Sequence, residues 1–314
     1  MQFDLAPMEG LTGYIIRNAF HHYFDDIDTY YTPFIPAAKR MSKKIQADIL
    51  PDNNEGIRLI PQVMSNNADE VIDLGHQLQS YGYDILNINL GCPSGTVVNK
   101  KRGSGLLAYP EELDHFLEEL FSKTDMKISI KTRIGFYEDD EWERILSIYK
   151  KYPLEELIIH PRIQRDLYRN APRIEAFSLA MKELRVPLCY NGDIVDVESY
   201  LHVCDKVPDI KRVMIGRGMF RNPGLIAKLK ETPYAAADYK NRLREFHDEI
   251  YNGFRSIFSG EKDALFRMKE VWSYLRYSFE DSDKYWKKIR KVQHHPDYVS
   301  LVNQLFAELT LQEL

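Results

Sequence analysis

Ile85-Leu86-Asn87-Ile88-Asn89-Leu90-Gly91-Cys92-Pro93, continued by Lys100-Lys101-Arg102-Gly103-Ser104-Gly105-Leu106-Leu107, is the stretch from which the rest of the chain is read. The apolar run Ile85 to Leu90 reads as a buried strand. Gly91-Cys92-Pro93 stops that strand and turns the chain. A thiol is thereby delivered at a strand end, on a loop rich in Gly, Ser and Lys. Enzymes built on parallel strands keep their chemistry at that end. The competing reading is a small hydrophobic Cys tucked beneath a loop.

Working outward, similar runs recur. Phe3–Ala6 is a short strand broken by Pro7. Thr29–Thr32 is β-rich and closed by Pro33. Arg58–Val63, Lys127–Thr132, Glu156–His160, Val186–Tyr190 and Arg212–Ile215 complete a set of eight. Helical patterns lie between them. Thr12 is placed to cap a helix through Phe20, Asn67 or Asp69 to start one through Leu78, and Pro110 to open another with acids in its first turn. Eight strands alternating with helices predict a (β/α)8 barrel. An open doubly wound sheet is the structural alternative, but no Gly-x-Gly-x-x-Gly follows the first strand. After Pro233 the pattern changes. Glycines become scarce and apolar residues fall at helical spacing, as in Leu265, Met268, Val271, Trp272 and Leu275. The expected organisation is a barrel over 1–233 and a small all-helical domain over 238–314.

The bulk numbers agree. A chain of 314 residues with 44% hydrophobic content suits one barrel-sized domain and a smaller partner. No stretch has the length of a membrane span, and the N-terminus carries no signal-like segment. Three widely spaced cysteines make neither a disulfide framework nor a metal knuckle, so no metal is expected and the compartment reads as a reducing cytoplasm. The net charge of -5 leaves room for nucleic acid, because such binding needs a local basic face.

In a barrel, the strand ends would gather Pro7-Met8, Gln62, Asn89, Cys92, Lys131, His160, Asn191 and Gly216-Arg217 at one mouth. Lys131, inside Ile-Ser-Ile-Lys-Thr, reads as facing a polar cavity or an anion, with a solvated charge as the alternative. His160 reads either as a satisfied core histidine or as a ligand contact. Gly216-Arg217-Gly218 follows the last strand, where barrels commonly bind phosphate. The set suits a flat, hydrogen-bonding, phosphate-bearing cofactor such as a flavin.

Taken jointly, Ala6-Pro7-Met8-Glu9-Gly10, Asn89-Leu90-Gly91-Cys92-Pro93, Gly103-Ser104-Gly105-Leu106-Leu107, Ile130-Lys131-Thr132-Arg133, His160-Pro161-Arg162, Asn191-Gly192-Asp193 and Gly216-Arg217-Gly218 resemble the tRNA-dihydrouridine synthases in order and rough spacing. The resemblance implies an FMN-binding barrel, NADPH as reductant, and reduction of the uracil C5=C6 bond in tRNA. By position it assigns FMN contacts to Ala6, Pro7, Met8, Gln62, Lys131, His160, Asn191, Gly192, Asp193, Gly216 and Arg217. It makes Cys92 the proton donor. At Ile163 and Asn170 the chain departs from the family pattern.

Under that resemblance Asn89 orients the base, and the Ser94–Gly105 loop is a lid. Contacts to RNA are expected from Lys100, Lys101, Arg102, Arg162, Lys287, Lys288 and Lys291, with Lys39-Arg40 and Lys43-Lys44 as a further basic pair. Tyr285, Trp286 and His294-His295 are candidates for base stacking, with helix-core roles equally open. The protein is expected to act as a monomer. Two other functions remain: a flavin-dependent barrel reductase of a free pyrimidine or related small molecule, and a non-catalytic RNA-binding protein on a retired barrel.

Overall fold

A computed structural model of the chain describes residues 1–37 and 40–312. Lys39, one of the basic candidates, lies outside the described residues. Eight strand segments run parallel in one sheet. They are β1 (Gln2–Leu5), β2 (Thr29–Tyr31, resumed at Ile35–Pro36), β3 (Leu59–Ile60, resumed at Gln62–Met64), β4 (Ile85–Leu90), β5 (Lys127–Gly135), β6 (Glu156–Ile163), β7 (Leu188–Tyr190) and β8 (Arg212–Ile215). The first half of β2 pairs with the first half of β3, and the second halves pair in turn. Sheet order therefore returns on itself, from β2 and β3 through β4 to β8 and β1, back to β2. The ring is closed: this is a (β/α)8 barrel. The interruptions in β2 and β3 fall at Pro33 and Pro61, which lack the N–H that a ladder needs. The Thr32 hydroxyl accepts from the Gln62 N–H at 2.9 Å and bridges the break.

Crossover helices cover the outside. They are α1 (Tyr14–Tyr23), α2 (Lys43–Ile49), α3 (Ala68–Gln79), α4 (Pro110–Lys123), α5 (Glu141–Tyr149), α6 (Ile174–Glu183) and α7 (Val197–Lys206). Most bury an apolar stripe against the strands, as Val71, Leu74 and Leu78 do in α3. Asn67 caps α3 by accepting from the Glu70 N–H at 3.0 Å. Thr12 differs from expectation. Gly13 is the N-cap of α1, and the Thr12 hydroxyl instead accepts from the Met8 N–H at 2.8 Å. It closes the turn that follows β1, where a backbone donor left over by the strand end needed a partner.

After β8 come two short helices, α8 (Arg217–Arg221) and α9 (Leu225–Leu229). Then follow α10 (Ala236–Ile257), α11 (Glu261–Leu275), α12 (Asp283–Ile289) and α13 (His295–Glu308). Helix α10 lies on α1, with Phe246 ring centroids 4.8 Å from Phe20 and 5.5 Å from Phe24. The apolar core is continuous from the barrel's outer layer into these helices. None of the described helices is long and apolar enough to cross a membrane.

The barrel interior holds one small apolar cluster: Ala6, Tyr31, Ile60, Ile158, Cys189 and Met214. At its base sits a charged cluster. Asp4 accepts from Arg212 Nε at 2.9 Å, and Glu156 lies 2.9 Å from the same guanidinium while accepting from the Tyr31 hydroxyl at 3.0 Å. Two carboxylates share one cation here, and Asp4 Oδ1 has no hydrogen-bond partner among the described residues. Burial pushes the Asp4 carboxyl up to about 7, against the pull of Arg212.

Candidate active site at the strand C-terminal ends

At the C-terminal end of the barrel a cavity of about 240 Å³ opens. Ala6, Pro7, Met8, Lys131, His160, Asn191, Gly192, Asp193, Gly216 and Arg217 all line it. Lys131 and His160 lie in β5 and β6 and the others follow β1, β7 and β8, so the parallel strands bring them together. Gln62 does not reach the wall. It is 1% exposed and lies beneath, donating to Asn87 at 2.8 Å and accepting from Asn89 at 2.7 Å. Asn87 in turn donates to Ser129 at 2.9 Å. An amide chain thus ties β3, β4 and β5 under the cavity floor, its buried polar groups bonding one another.

Asn89 is the upper member of that chain. Its side-chain carbonyl accepts from the Gly91 N–H at 3.1 Å and the Cys92 N–H at 2.9 Å. Both ends of the amide are spent inside the protein, so its contribution is to set the turn that presents Cys92. Gly91 lines the cavity, and Cys92 beside it is half-buried. Burial raises the Cys92 thiol pKa above its ordinary value, outweighing a backbone hydrogen bond at Ser94 and the nearby charges of Arg133 and Lys131. The group is therefore held in its thiol form at neutral pH.

The loop expected as a lid is only partly free. Gly103, Ser104, Gly105, Leu106 and Leu107 are buried. Gly103 has φ of +55°, and a Cβ there would lie 2.7 Å from the Cys92 carbonyl oxygen. The Ser104 hydroxyl donates to that same oxygen at 2.9 Å. The C-terminal half of the loop is therefore a rigid brace behind Cys92, and only the short helical turn Gly95–Val98 and its neighbours face solvent.

Cations crowd the cavity. Lys131, Arg133 and Arg217 line it against a single carboxylate, Asp193. Burial, followed by the charge of Arg133, lowers the Lys131 ammonium to about 8. His160 is lowered well below its ordinary value by burial first and by Arg133 and Lys131 next, so the imidazole is neutral. Its Nδ1 lies 2.6 Å from the Asn191 carbonyl oxygen and so donates to it, leaving Nε2 to accept from Arg162 at 3.3 Å. Asn191 donates to the Met214 carbonyl at 2.8 Å, linking β7 to β8.

Arg162, expected at the substrate, is 1% exposed and grips Asp193 with two N–H groups. Asp193 also accepts from Arg217 at 2.6 Å. Burial works against the Asp193 charge, but Arg162 and Arg217 hold its pKa below the ordinary carboxylate value. The net positive wall, neutral imidazole and cavity-lining glycines suit an anionic, flat, hydrogen-bonding ligand.

Arg133, Tyr168 and Tyr274 are among the wall residues not assigned from sequence. Arg133 donates to the carbonyls of Gly91, Ile163 and Leu167, each at 2.9 Å, and so fixes two loops at once. Tyr168 lies under the guanidinium of Arg217, 4.9 Å from its centroid, and beside that of Arg133. Tyr274 reaches the cavity from α11.

Of the basic candidates, Lys101 pairs with Glu112 at 2.6 Å and covers the Tyr109 ring at 4.0 Å. Arg102 reaches Asn66 and Glu70, both at 3.3 Å. Lys100, Lys287, Lys288 and Lys291 are exposed. Tyr285 is buried with its hydroxyl on Glu308, which removes it from the stacking candidates. Trp286 stays partly open between Arg276 and Arg290.

A family model described as dihydrouridine synthase (Dus) matches residues 4–310, spanning the cavity, Cys92 and the C-terminal helices in one stretch. The chain belongs to the dihydrouridine synthase family. A protein of Staphylococcus aureus (strain COL) named "Probable tRNA-dihydrouridine synthase" is 26% identical over 289 residues, covering 87% of this chain and 83% of that one. The "tRNA-dihydrouridine synthase B" of Pasteurella multocida (strain Pm70) is 27% identical over 222 residues, covering 70% of this chain and 66% of the other. Among solved structures, morphinone reductase superposes with a TM-score of 0.53 at 11% identity, covering 76% of this chain and 88% of that chain. That likeness concerns the barrel fold alone.

Proposed function

We propose that this chain is a tRNA-dihydrouridine synthase that reduces the C5=C6 bond of a uridine in tRNA, with FMN as cofactor and NADPH as reductant. The observation that carries the reading is the family match over residues 4–310, which includes a cation-rich cavity and a protonated thiol at its edge. FMN would be held by Ala6, Pro7, Met8, Lys131, His160, Asn191, Gly192, Asp193, Gly216 and Arg217, with Gln62 supporting the floor through Asn89. Bound and reduced, FMN supplies hydride to C6 of the uracil ring, which is β to the C4 carbonyl.

The remaining work falls to the chain's own residues. Electrons arriving at C6 leave C5 and O4 basic, and Cys92 Sγ gives its proton to C5. Asn89 and Ser104 hold the Cys92 backbone in place while this happens. Lys131 contributes a buried positive charge beside the ring, and Arg162 acts through His160 and Asp193 rather than on substrate. The target base must leave its stack to enter the cavity. Lys100, Lys101, Arg102, Lys287, Lys288 and Lys291 would meet the RNA backbone, with the barrel (1–233) doing chemistry and the helices (238–314) positioning RNA. Free Cys92, Cys189 and Cys204 suit a reducing cytoplasm, where the enzyme would act as a monomer.

The test supplies purified, FMN-loaded protein and NADPH with unmodified tRNA transcript or free uridine. Dihydrouridine in the tRNA, with little in the nucleoside, is expected. Equal turnover of free uridine would favour a small-molecule reductase, and no reduction of either would overturn the proposal.

A further inference from the structure

The wall of the cavity contains one residue that does not belong to the barrel. Tyr274 sits on the last turn of α11, yet it lines the same cavity as Gly216, Arg217 and Gly218. Its ring centroid lies 6.2 Å from that of Phe220 on α8, the short helix that begins at Arg217. The chain just beyond it is fixed to α8. Ser278 Oγ donates to the Arg221 carbonyl at 2.6 Å, and the Arg221 guanidinium lies 4.5 Å from the Tyr277 ring centroid. Tyr274 is thus held over the loop after β8 by these contacts with α8. Its hydroxyl has no hydrogen-bond partner among the described residues. A phenol in a polar cavity with its O–H free is a donor awaiting an acceptor.

We infer that Tyr274 is a cofactor-binding residue supplied by the helical segment, donating its hydroxyl proton to the phosphate monoester of the bound flavin nucleotide beside Gly216–Gly218. This rests on the proposed FMN reading. The chemistry of the neighbourhood selects phosphate over ring or ribityl chain. Arg217 and the backbone of Gly216 and Gly218 stand at this end of the cavity, whereas Lys131 comes from β5, three strands away around the ring. A neutral donor to a dianion makes a charge-assisted bond, stronger than one to a neutral acceptor. Cofactor occupancy and docking of α11 on the barrel are then coupled, because one ligand touches both.

The experiment compares FMN with riboflavin, which has the same ring and ribityl chain but no phosphate. Apoprotein of the natural sequence and of Tyr274→Phe is titrated with each, following flavin fluorescence. The phenylalanine keeps the ring and removes only the hydroxyl. The dissociation constant for FMN should rise about tenfold or more in Tyr274→Phe, the loss expected for a hydrogen bond to a charged group, with riboflavin affinity unchanged. Unchanged FMN affinity, or an equal loss for both ligands, overturns the assignment, the second outcome marking Tyr274 as a packing residue. Failure of the natural protein to bind either ligand would instead remove the FMN reading on which it rests.

Discussion

Lys131 gives the account a quantitative handle on the cavity. Its ammonium is lowered to about 8 from an ordinary 10.5, by burial first and by the charge of Arg133 next. An anionic cofactor beside it would restore the ordinary value, so binding above pH 8 must take up a proton. The sign follows directly: affinity is full below about 8 and falls as pH rises, since apoprotein with neutral Lys131 must be protonated first. With a pKa of about 8, about ten elevenths of the groups are charged at pH 7 and about one eleventh at pH 9. FMN should therefore bind about tenfold more weakly at pH 9 than at pH 7, about 1.4 kcal/mol. The second phosphate ionisation, at about 6, lies below that window. Fluorescence titration of apoprotein at pH 7, 8 and 9 reads the slope. Lys131→Met should bind weakly and without the slope, and Lys131→Arg should bind without it because a guanidinium stays charged. A flat profile in the natural protein, or an undiminished slope in Lys131→Met, would refute the placement of this charge against the cofactor.

Other expectations concern separate parts of the molecule. Cys92→Ala should still bind FMN and accept electrons from NADPH while dihydrouridine formation falls by orders of magnitude, about 10²-fold or more for a lost general acid; normal turnover would remove the residue from the mechanism. Changing Lys287, Lys288 and Lys291 together to Glu should weaken tRNA binding and flatten its dependence on salt. A steep slope retained by that triple variant would place the RNA elsewhere. At the base of the barrel, Asp4 is raised to about 7 from 3.8, so the fold favours its protonated form, and its contribution to stability is lost as pH rises from about 4 through about 7. Asp4→Asn imitates the protonated group, so its melting temperature should gain on that of the natural protein between pH 5 and pH 8. A constant gap across that range would mean that Asp4 does not titrate there.

Much of the architecture was legible because each strand is a short apolar run ended by a residue with a backbone constraint. Pro7 marks a strand end by the N–H it lacks, and Gly91 and Gly216 by the turns they permit. The closure of the ring at Pro33 and Pro61 was less visible, since a proline that interrupts a strand reads the same as one that ends it. At the site, residue types were readable but their partners were not. Gln62 and Asn89 announce hydrogen bonding, yet only the register between β3, β4 and β5 shows that they bond each other and hold Cys92 rather than meet a ligand. Arg162 looked like a substrate contact because a lone arginine in sequence gives no sign of Asp193, thirty-one positions away and one strand over. Tyr168 follows Leu167, whose φ of +52° turns the loop over the cavity without a glycine to advertise it. Tyr274 lies in a helical pattern remote from every barrel motif. Its place in the wall exists only once α11 is packed against α8.

The most direct measurement is the position and amount of dihydrouridine in tRNA from cells that carry this gene, cells that lack it, and cells in which only the Cys92→Ala form is restored. The account predicts at least one uridine that is reduced in the first and unreduced in the other two. Identical dihydrouridine maps in all three would contradict it.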